Sequence, residues 1–217
     1  MSGEFGSDSL PEVIPVFPLS GALLLPRGTL PLNIFEPRYL AMVRDAMKGD
    51  RLIGMVQPRA KSPEPPPLYE VGCVGRITQY SETGDGRFLI ALTGLSRFRI
   101  DRELAVITPY RQVVADWSAW TGDWATPAPL PAAVRADLEG SLRTYLEALG
   151  MSADWDAVAN ADDESLVNTL AAVCPFDAVE KQALVETGTM LERAHTLSAL
   201  MAFAGSGDDD DSKPTLQ

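Results

Sequence analysis

The sequence is poor in the residues on which most enzyme active sites depend. It has one histidine, two cysteines and four lysines among 217 residues. A metalloprotease helix needs two histidines, and a P-loop needs a lysine that follows glycine; this chain has neither. Cys73 and Cys174 are far apart in the sequence and form no metal-binding or redox motif. We therefore predict no cofactor and no bound metal.

Other catalytic and targeting signatures are also missing. No serine has glycine two positions before and two positions after it, as a nucleophile elbow requires. The longest apolar run, "GALLLP", ends at Pro26, far short of the roughly 18 residues of a membrane-spanning helix. The opening "MSGEFGSDSLPE" has neither the basic nor the apolar region of a signal peptide. These absences predict a non-enzymatic, cytoplasmic protein without a membrane segment.

Negative charge is concentrated in the second half of the chain. Residues 1–115 have a net charge of +1 and residues 116–217 a net charge of −13, which together give the total of −12. Binding to a phosphate backbone needs clustered cations. The charge distribution therefore disfavours nucleic acid as a partner.

The chain divides into regions of different pattern. Residues 13–117 consist of short apolar runs separated by turn residues, which predicts a β-rich region. Residues 118–130 are predicted to be a linker, and residues 131–204 show the three- and four-residue apolar spacing of helices. Residues 1–12 are predicted to be flexible, and residues 205–217 to form a disordered acidic tail.

Turn residues predict the connections of the β-rich region. The run "ETGDG" predicts a hairpin turn, because Gly84 and Gly86 can adopt positive φ angles. A second hairpin turn is expected near Gly94 and Leu95. The run "KSPEPPPLYE" predicts an exposed, polyproline-like loop.

Charged residues near helix starts have structural explanations. Pro37 suits the first position of a helix, and Glu36 before it is expected to cap the free N–H groups and to form a local ion pair with Arg38. Asp162 and Asp163 are likewise expected to cap a helix. Met190, Ala194, Leu197 and Met201 recur on one face of the last predicted helix. We interpret these residues as structural rather than catalytic.

Four runs in order resemble a known family. They are "VIPVFPLSGALLLPRGTLPLNIFEPRYLAMV", "YEVGCVGRITQY", "LTGLSRFRI" and "PFDAVEKQALVETGTMLERAHTLSAL". The chain is similar to the N-terminal, substrate-binding domain of the Lon protease family. Its run "IFEPRY" resembles the corresponding run in the short stand-alone bacterial members of the family. It also resembles that run in the same domain of cereblon and of RING-finger proteins.

The resemblance implies an α+β fold: a PUA-like, six-stranded pseudo-barrel with one early helix, followed by a C-terminal helical subdomain. It also implies recognition of substrate proteins rather than their cleavage. A full Lon protease continues into an ATPase module and a Ser-Lys peptidase domain, and this chain stops at Gln217 with neither. We therefore expect no hydrolysis, and a peptidase label would describe ancestry.

The first functional hypothesis is a protein-binding module for unfolded or exposed segments of other proteins. An apolar patch on the barrel, or an open strand edge, would supply the contact, and we favour the patch because prolines blunt the edge. Whether a separate protease or chaperone takes part, and the oligomeric state, stay open. The candidate binding residues, each of which could instead be core, are Leu24, Leu25, Phe35, Leu68, Tyr69, Trp117 and Trp120.

The alternative hypothesis is RNA or small-ligand binding through the PUA-like barrel. RNA binding would need a basic strip with exposed aromatic residues. The densest group of cations consists of Arg97, Arg99, Arg102 and Arg111. Arg97 and Arg99 are two residues apart on a predicted strand and would share a face.

Overall fold

The computed structural model describes residues 10–59 and 65–205, which form an α+β fold. Parts of three predicted segments lie outside the described residues. They are residues 1–9 of the N-terminus, residues 60–64 at the start of the proline-rich loop, and residues 206–217 of the acidic tail.

Six strands form one sheet whose ends meet. They are β1 (Val13–Pro18), β2 (Thr29–Ile34), β3 (Leu52–Val56), β4 (Val71–Glu82), β5 (Phe88–Glu103) and β6 (Arg111–Asp116). The strand order is β2-β5-β4-β3-β1-β6, and β6 also pairs with β5. Because β2 pairs with the first half of β5 and β6 with its second half, five strands close into a ring that β2 extends. This confirms the expected six-stranded pseudo-barrel.

The helices follow the predicted division between an early helix and a later helical region. They are α1 (Pro37–Lys48), a 3₁₀-helix (Ser118–Trp124), α2 (Ala132–Ala148), α3 (Trp155–Asn160), α4 (Asp163–Val173), α5 (Ala178–Glu186) and α6 (Met190–Gly205). No helix among residues 10–59 and 65–205 is long and apolar enough to cross a membrane.

The predicted hairpin turn near Gly94 is wrong. β5 continues as one strand past this position, whereas the predicted "ETGDG" turn is present and Gly86 has a φ of 82°. Gly94 instead lets the chain at Leu25 cross the strand, because a Cβ atom at position 94 would lie 2.0 Å from the Leu25 carbonyl oxygen. A turn and a close approach both favour glycine, and the sequence alone does not separate them.

Two apolar clusters stabilise the β-rich region. Every strand of the ring contributes to the smaller one, the barrel core, which comprises Ile14, Val16, Leu52, Val56, Val74, Phe98, Val113 and Ala115. The larger one, the α1 core, joins buried residues of α1 to β1–β5 and includes Phe17, Leu24, Ile34, Tyr39, Met42, Val43, Ile53, Met55, Cys73, Phe88, Ile90 and Leu92. Alternation along the strands sends successive side chains to opposite faces.

The start of α1 differs from the expectation in one respect. Pro37 is the first helical residue, as predicted, but the Glu36 side chain makes no capping hydrogen bond. Its Oε2 atom accepts from Arg38 Nε at 3.0 Å and lies 2.9 Å from Arg38 NH2. The predicted local ion pair is therefore confirmed and the predicted cap is wrong, because the carboxylate turns to the neighbouring guanidinium.

The chain separates into two compact units. The β-rich unit comprises Met1–Thr126 and Cys174–Glu186, and the helical unit comprises Pro127–Val173 and Thr187–Gln217. The sequence predicts a helical subdomain over one continuous stretch, 131–204. The observed helical unit is interrupted instead, because α5 packs with the strands of the β-rich unit.

Polar side chains of the E-K-Q run attach α5 to the β-rich unit. Lys181 Nζ donates to the carbonyl oxygen of Gly21 at 2.9 Å, and Gln182 Nε2 donates to the carbonyl oxygen of Val71 at 3.1 Å. From the barrel, Gln57 Nε2 donates to the first backbone carbonyl of α5 at 2.9 Å. Buried polar groups stabilise a fold when their hydrogen bonds are made inside the protein. The run therefore has a structural role.

Several helices begin with acidic caps. Asp162 Oδ1 accepts from the backbone N–H of Ser165 at 2.9 Å, which confirms its predicted capping role. At the start of α5, Asp177 Oδ1 accepts from the Glu180 N–H, and Glu180 Oε2 accepts from the Asp177 N–H, both at 2.8 Å. This reciprocal capping box satisfies N–H groups that the helix leaves free.

In the helical unit, apolar faces of the helices form a core. The face predicted for the last helix, Met190, Ala194, Leu197 and Met201, is buried as expected. Arg135 on α2 links three segments of this unit. Its NH1 atom donates to Asp163 Oδ1 at 2.7 Å and to the Ala161 carbonyl, its NH2 donates to the Val158 carbonyl, and its Nε donates to Glu139.

Asp163 is expected to make the stability of the helical unit depend on pH. The hydrogen bond from Arg135 lowers the pKa of Asp163 below 3.8, and Asp163 also accepts from the Leu130 N–H. A carboxylate with a lowered folded-state pKa contributes fully above its unfolded pKa of about 4, and loses this contribution as the pH falls through the folded value. We expect Asp163→Asn to cost about 2 kcal/mol at pH 7, and progressively less as the pH falls below the unfolded pKa of about 4.

Circular dichroism monitors the urea unfolding of the full chain at several pH values. Asp137→Asn serves as the control, because Asp137 is an exposed carboxylate on α2 of the same unit. Parallel stability curves for wild type and Asp163→Asn would contradict the assignment.

Candidate binding surface

Two of the predicted binding residues are in the interior. Leu24 is 3% exposed and belongs to the α1 core, and Leu25 is 1% exposed. Neither side chain reaches the surface, so the prediction that they contact a partner is corrected. Their run, "ALLLP", has no alternation that would distinguish a buried from an exposed position.

Four other candidates are half-buried. Leu68 and Trp117 both pack against the barrel core, and the Trp117 ring lies 5.6 Å from that of Phe98. Tyr69 lies under the guanidinium of Arg59, 5.4 Å from ring centroid to Cζ. Trp120 lies in the same way under the buried Arg97, at 5.5 Å. The fold therefore brings Leu68 and Trp117 to one cluster, but it uses much of each side chain for packing.

Phe35 is the predicted candidate that the fold leaves on the surface. It is 60% exposed and follows the last residue of β2. On the neighbouring strand β5, Leu89 is 46% exposed and pairs with Asn33, two residues before Phe35. Ile34 and Phe88 pair across the two strands and point into the α1 core, so their neighbours point away from it.

These positions define a surface that we call the open β face. Its members are the exposed residues Pro31, Asn33, Phe35, Arg87 and Leu89. Leu89 pairs with Asn33 on one side and with Ser81 on the other. The Arg87 guanidinium lies 5.8 Å from the centroid of the Phe35 ring. The face therefore presents two large apolar side chains among polar neighbours, beside the outer strand of the sheet.

A small cleft lies elsewhere on the β-rich unit. Its volume is about 180 Å³, and it is lined by Pro18, Arg38, Tyr39, Pro58, Pro65, Pro66, Pro109, Tyr110 and Arg111. Burial and a hydrogen bond to Asp45 raise the pKa of Tyr110 to about 12, so the phenol stays protonated. Small-ligand sites usually enclose about 300–1,000 Å³. We therefore take the open β face, and not this cleft, as the candidate site.

Arg97 cannot form part of an RNA-binding face. Its side chain is 3% exposed, and its NH2 atom lies 2.7 Å from Oδ1 of Asp123, whose side chain is 8% exposed. Arg97 NH1 donates to the Val185 carbonyl of α5 at 3.0 Å. The prediction for Arg97 is therefore corrected. The predicted linker at 118–130 is also partly ordered, since Asp123 anchors the 3₁₀-helix to β5.

The other three predicted arginines each have an acidic neighbour. Arg99 pairs across strands with Asp116, Arg102 NH1 lies 2.7 Å from Asp101 Oδ2, and Arg111 Nε donates to Glu103 Oε1 at 2.6 Å. Such pairing reduces the positive potential that phosphate binding requires. The geometry therefore offers little support for an RNA-binding role of these residues, which stays a prediction.

Both cysteines of the β-rich unit are buried. Cys73 is buried in the α1 core, and burial raises the pKa of the Cys174 thiol to about 11. Reactive cysteines need a thiolate that a substrate can reach. In the part of the chain that the structure describes, no group of three or more His, Cys, Asp or Glu residues could hold a metal ion.

Sequence reasoning missed Leu89. It lies in the continuous apolar run "FLIAL", in which every residue is of a type that is common in buried strands. Only the pairing of β5 with β2 and β4 shows that Leu89 points away from the α1 core. Its pairing with polar Asn33 would have been a signal if the register had been known.

Comparison with known proteins gives one consistent result. Residues 13–202 match the family described as the ATP-dependent protease La (LON) substrate-binding domain. A Lon protease 2 of Myxococcus xanthus is 32% identical over 52% of this chain and 14% of its own length. A Lon protease of Cytophaga hutchinsonii is 26% identical over 91% of this chain and 25% of its own length. The chain thus spans a quarter or less of these relatives.

Solved structures show the same fold. A Lon N-terminal domain protein from Xanthomonas campestris has a TM-score of 0.62, with 22% identity over 86% of this chain and 97% of its own. The N-terminal domain of a Mycobacterium avium complex Lon protease also has a TM-score of 0.62, with 17% identity over 88% of this chain and 98% of its own. With the family match over most of its length, the chain belongs to the LON substrate-binding domain family.

Proposed function

We propose that this protein binds unfolded or exposed segments of other proteins through the open β face, without catalysing a reaction itself. The observation that carries the proposal is the exposure of Phe35 and Leu89, on adjacent strands, on a sheet whose other face is buried. Family membership in a substrate-binding domain supports the same role. Exposed apolar side chains framed by polar ones are typical of protein-interaction sites.

The chemistry of the surface sets the kind of partner. Asn33 and Ser81 flank Leu89 and can accept or donate hydrogen bonds without selecting a sequence. The Arg87 side chain lies 2.8 Å from Asp85, so its charge is compensated locally. Contact with the open β face itself is therefore mainly apolar. Clients would be segments that are normally buried in folded proteins, in a cytoplasmic setting.

Replacing Phe35 and Leu89 together by serine is expected to weaken this binding at least tenfold. About half of the surface of each side chain can still be buried when a partner binds. This burial contributes about 1 kcal/mol per residue to the free energy of binding. The measurement is the fluorescence anisotropy of a labelled, permanently unfolded protein titrated with the full chain. Val179→Ser is the matched control, because Val179 is an exposed apolar residue on α5 of the same unit.

A salt series separates this proposal from the RNA-binding alternative. Apolar binding survives at high salt, whereas contacts with phosphates weaken steeply. A short single-stranded RNA is titrated in parallel. RNA binding that is lost with salt and with Arg99→Ala, together with no binding of the unfolded protein, would overturn the proposed function.

A further inference from the structure

We propose that a client segment binds as an added β-strand along the free edge of β2, with apolar residues at every second position. This inference rests on the proposed function and specifies its binding mode. Strand addition uses main-chain hydrogen bonds for affinity and alternate side chains for selectivity.

Strand β2 has one open edge. Among the residues that the structure describes, β2 pairs only with β5, in the antiparallel register Thr29 with Thr93 to Ile34 with Phe88. The side chains of Thr29, Pro31 and Asn33 are exposed. The strand therefore ends the sheet on this side.

The hydrogen bonds between β2 and β5 identify the backbone groups that face the open edge. The Gly94 N–H donates to the Gly28 carbonyl oxygen at 2.9 Å, so residue 28 directs its carbonyl toward β5. Alternate residues of an antiparallel strand direct their polar groups to opposite sides. Leu30 and Leu32 therefore bond to β5, while Thr29, Pro31 and Asn33 direct their backbone groups to the open edge.

Pro31, one of the prolines expected to blunt the edge, removes only one hydrogen-bond donor from it. Proline has no N–H group and is therefore suited to the side of a strand that lacks a partner. The edge keeps the N–H groups of Thr29 and Asn33 and the carbonyl groups of all three residues. Two donors and three acceptors in regular spacing remain available to a partner strand, and only one donor is missing.

The side chains of β2 set which residues are favoured in the bound segment. Leu30 and Leu32 are partly buried against the α1 core, and part of each side chain remains accessible beside the open edge. A seventh strand would place every second side chain next to these leucines, and the others next to Pro31 and Asn33. The favoured segment is therefore extended, with apolar residues alternating with polar ones and no proline at the pairing positions.

The experiment uses the unaltered full chain and a labelled peptide with valine and serine in alternation. Two further peptides have the same side chains, but are N-methylated at all valines or at all serines. Only one edge of an added strand faces β2, so we expect one methylated peptide to bind at least about tenfold more weakly and the other within about threefold. Because the protein itself is unchanged, misfolding cannot produce this difference.

Amide hydrogen exchange in the saturated complex provides the deciding readout. Protection should appear at Thr29 and Asn33, while Leu30 and Leu32, already bonded to β5, should change little and act as internal controls. If a client or peptide binds without protecting Thr29 and Asn33, strand addition is overturned and the proposed function stands. If neither the peptide nor the unfolded protein binds, the proposed function itself fails.

Discussion

Replacing Asp123 with alanine is expected to lower the free energy of unfolding of the β-rich unit by about 3–5 kcal/mol. Asp123 accepts from the backbone N–H of Arg97 at 2.8 Å and from its Nε at 3.0 Å, in addition to the contact with NH2. Removing the carboxylate leaves the Arg97 guanidinium buried without its counter-charge. The cost is large because a buried, uncompensated ion has lost its hydration and gains nothing in return.

Urea unfolding followed by tryptophan fluorescence measures this effect, since Trp117, Trp120 and Trp124 lie in the same unit. The control is Asp101→Ala, which removes an exposed carboxylate that lies 2.7 Å from an arginine and should change stability by less than about 0.5 kcal/mol. The double variant Arg97→Leu with Asp123→Leu should be more stable than the sum of the single effects implies, because neither charge then remains buried. Additive losses would show that the two groups do not act as a pair.

Replacing Gly94 with alanine is the second change for which we expect a large effect, about 3 kcal/mol of destabilisation. The added Cβ would lie 2.0 Å from the carbonyl oxygen and 2.8 Å from the carbonyl carbon of Leu25. Both atoms belong to the backbone, so no rotation of a side chain can relieve the clash. The loop that crosses β5 would have to move away, and the hydrogen bond from Arg27 N to the Gly94 carbonyl would be strained.

Gly84→Ala is the matched control for this prediction. Gly84 lies in the β4–β5 turn, has no atom within 4 Å of a built Cβ, and does not need a positive φ angle. Its substitution should change stability by less than about 0.5 kcal/mol. Equal stability of the two variants would mean that the Leu25 segment is not held against β5.

The family motifs of this chain have structural explanations in these contacts. The first arginine of "LTGLSRFRI" is the buried Arg97, and its glycine is Gly94. In "YEVGCVGRITQY", Gly72 is required because a Cβ there would lie 2.5 Å from the Met55 carbonyl oxygen. The E-K-Q run attaches α5 to the barrel. These motifs therefore identify the fold. Of the open β face, Pro31, Asn33 and Phe35 lie in the first run, and Arg87 and Leu89 lie outside all four.

Local sequence signals were sufficient for many elements. Periodicity located α6 and its buried face, Pro37 marked the first residue of α1, and the "ETGDG" run located the β4–β5 turn. Such features depend on backbone preferences and on the spacing of apolar residues along a few turns or one strand. Composition also indicated the change from strands to helices.

Other features depended on pairings between distant residues. Arginine is usually a surface residue, yet Arg97 is buried. The Asp123 carboxylate neutralises its charge, and the carbonyl of Val185 accepts a hydrogen bond from it. Leu24 and Leu89 both lie in apolar runs, and only the tertiary structure decides that one is core and the other is exposed. The sequence by itself determined the family, the element types and the absence of common catalytic motifs, because these depend on local pattern. The tertiary structure alone decided which charges are paired, which apolar side chains stay on the surface and which strand edge is open, because each depends on a partner far away in the chain.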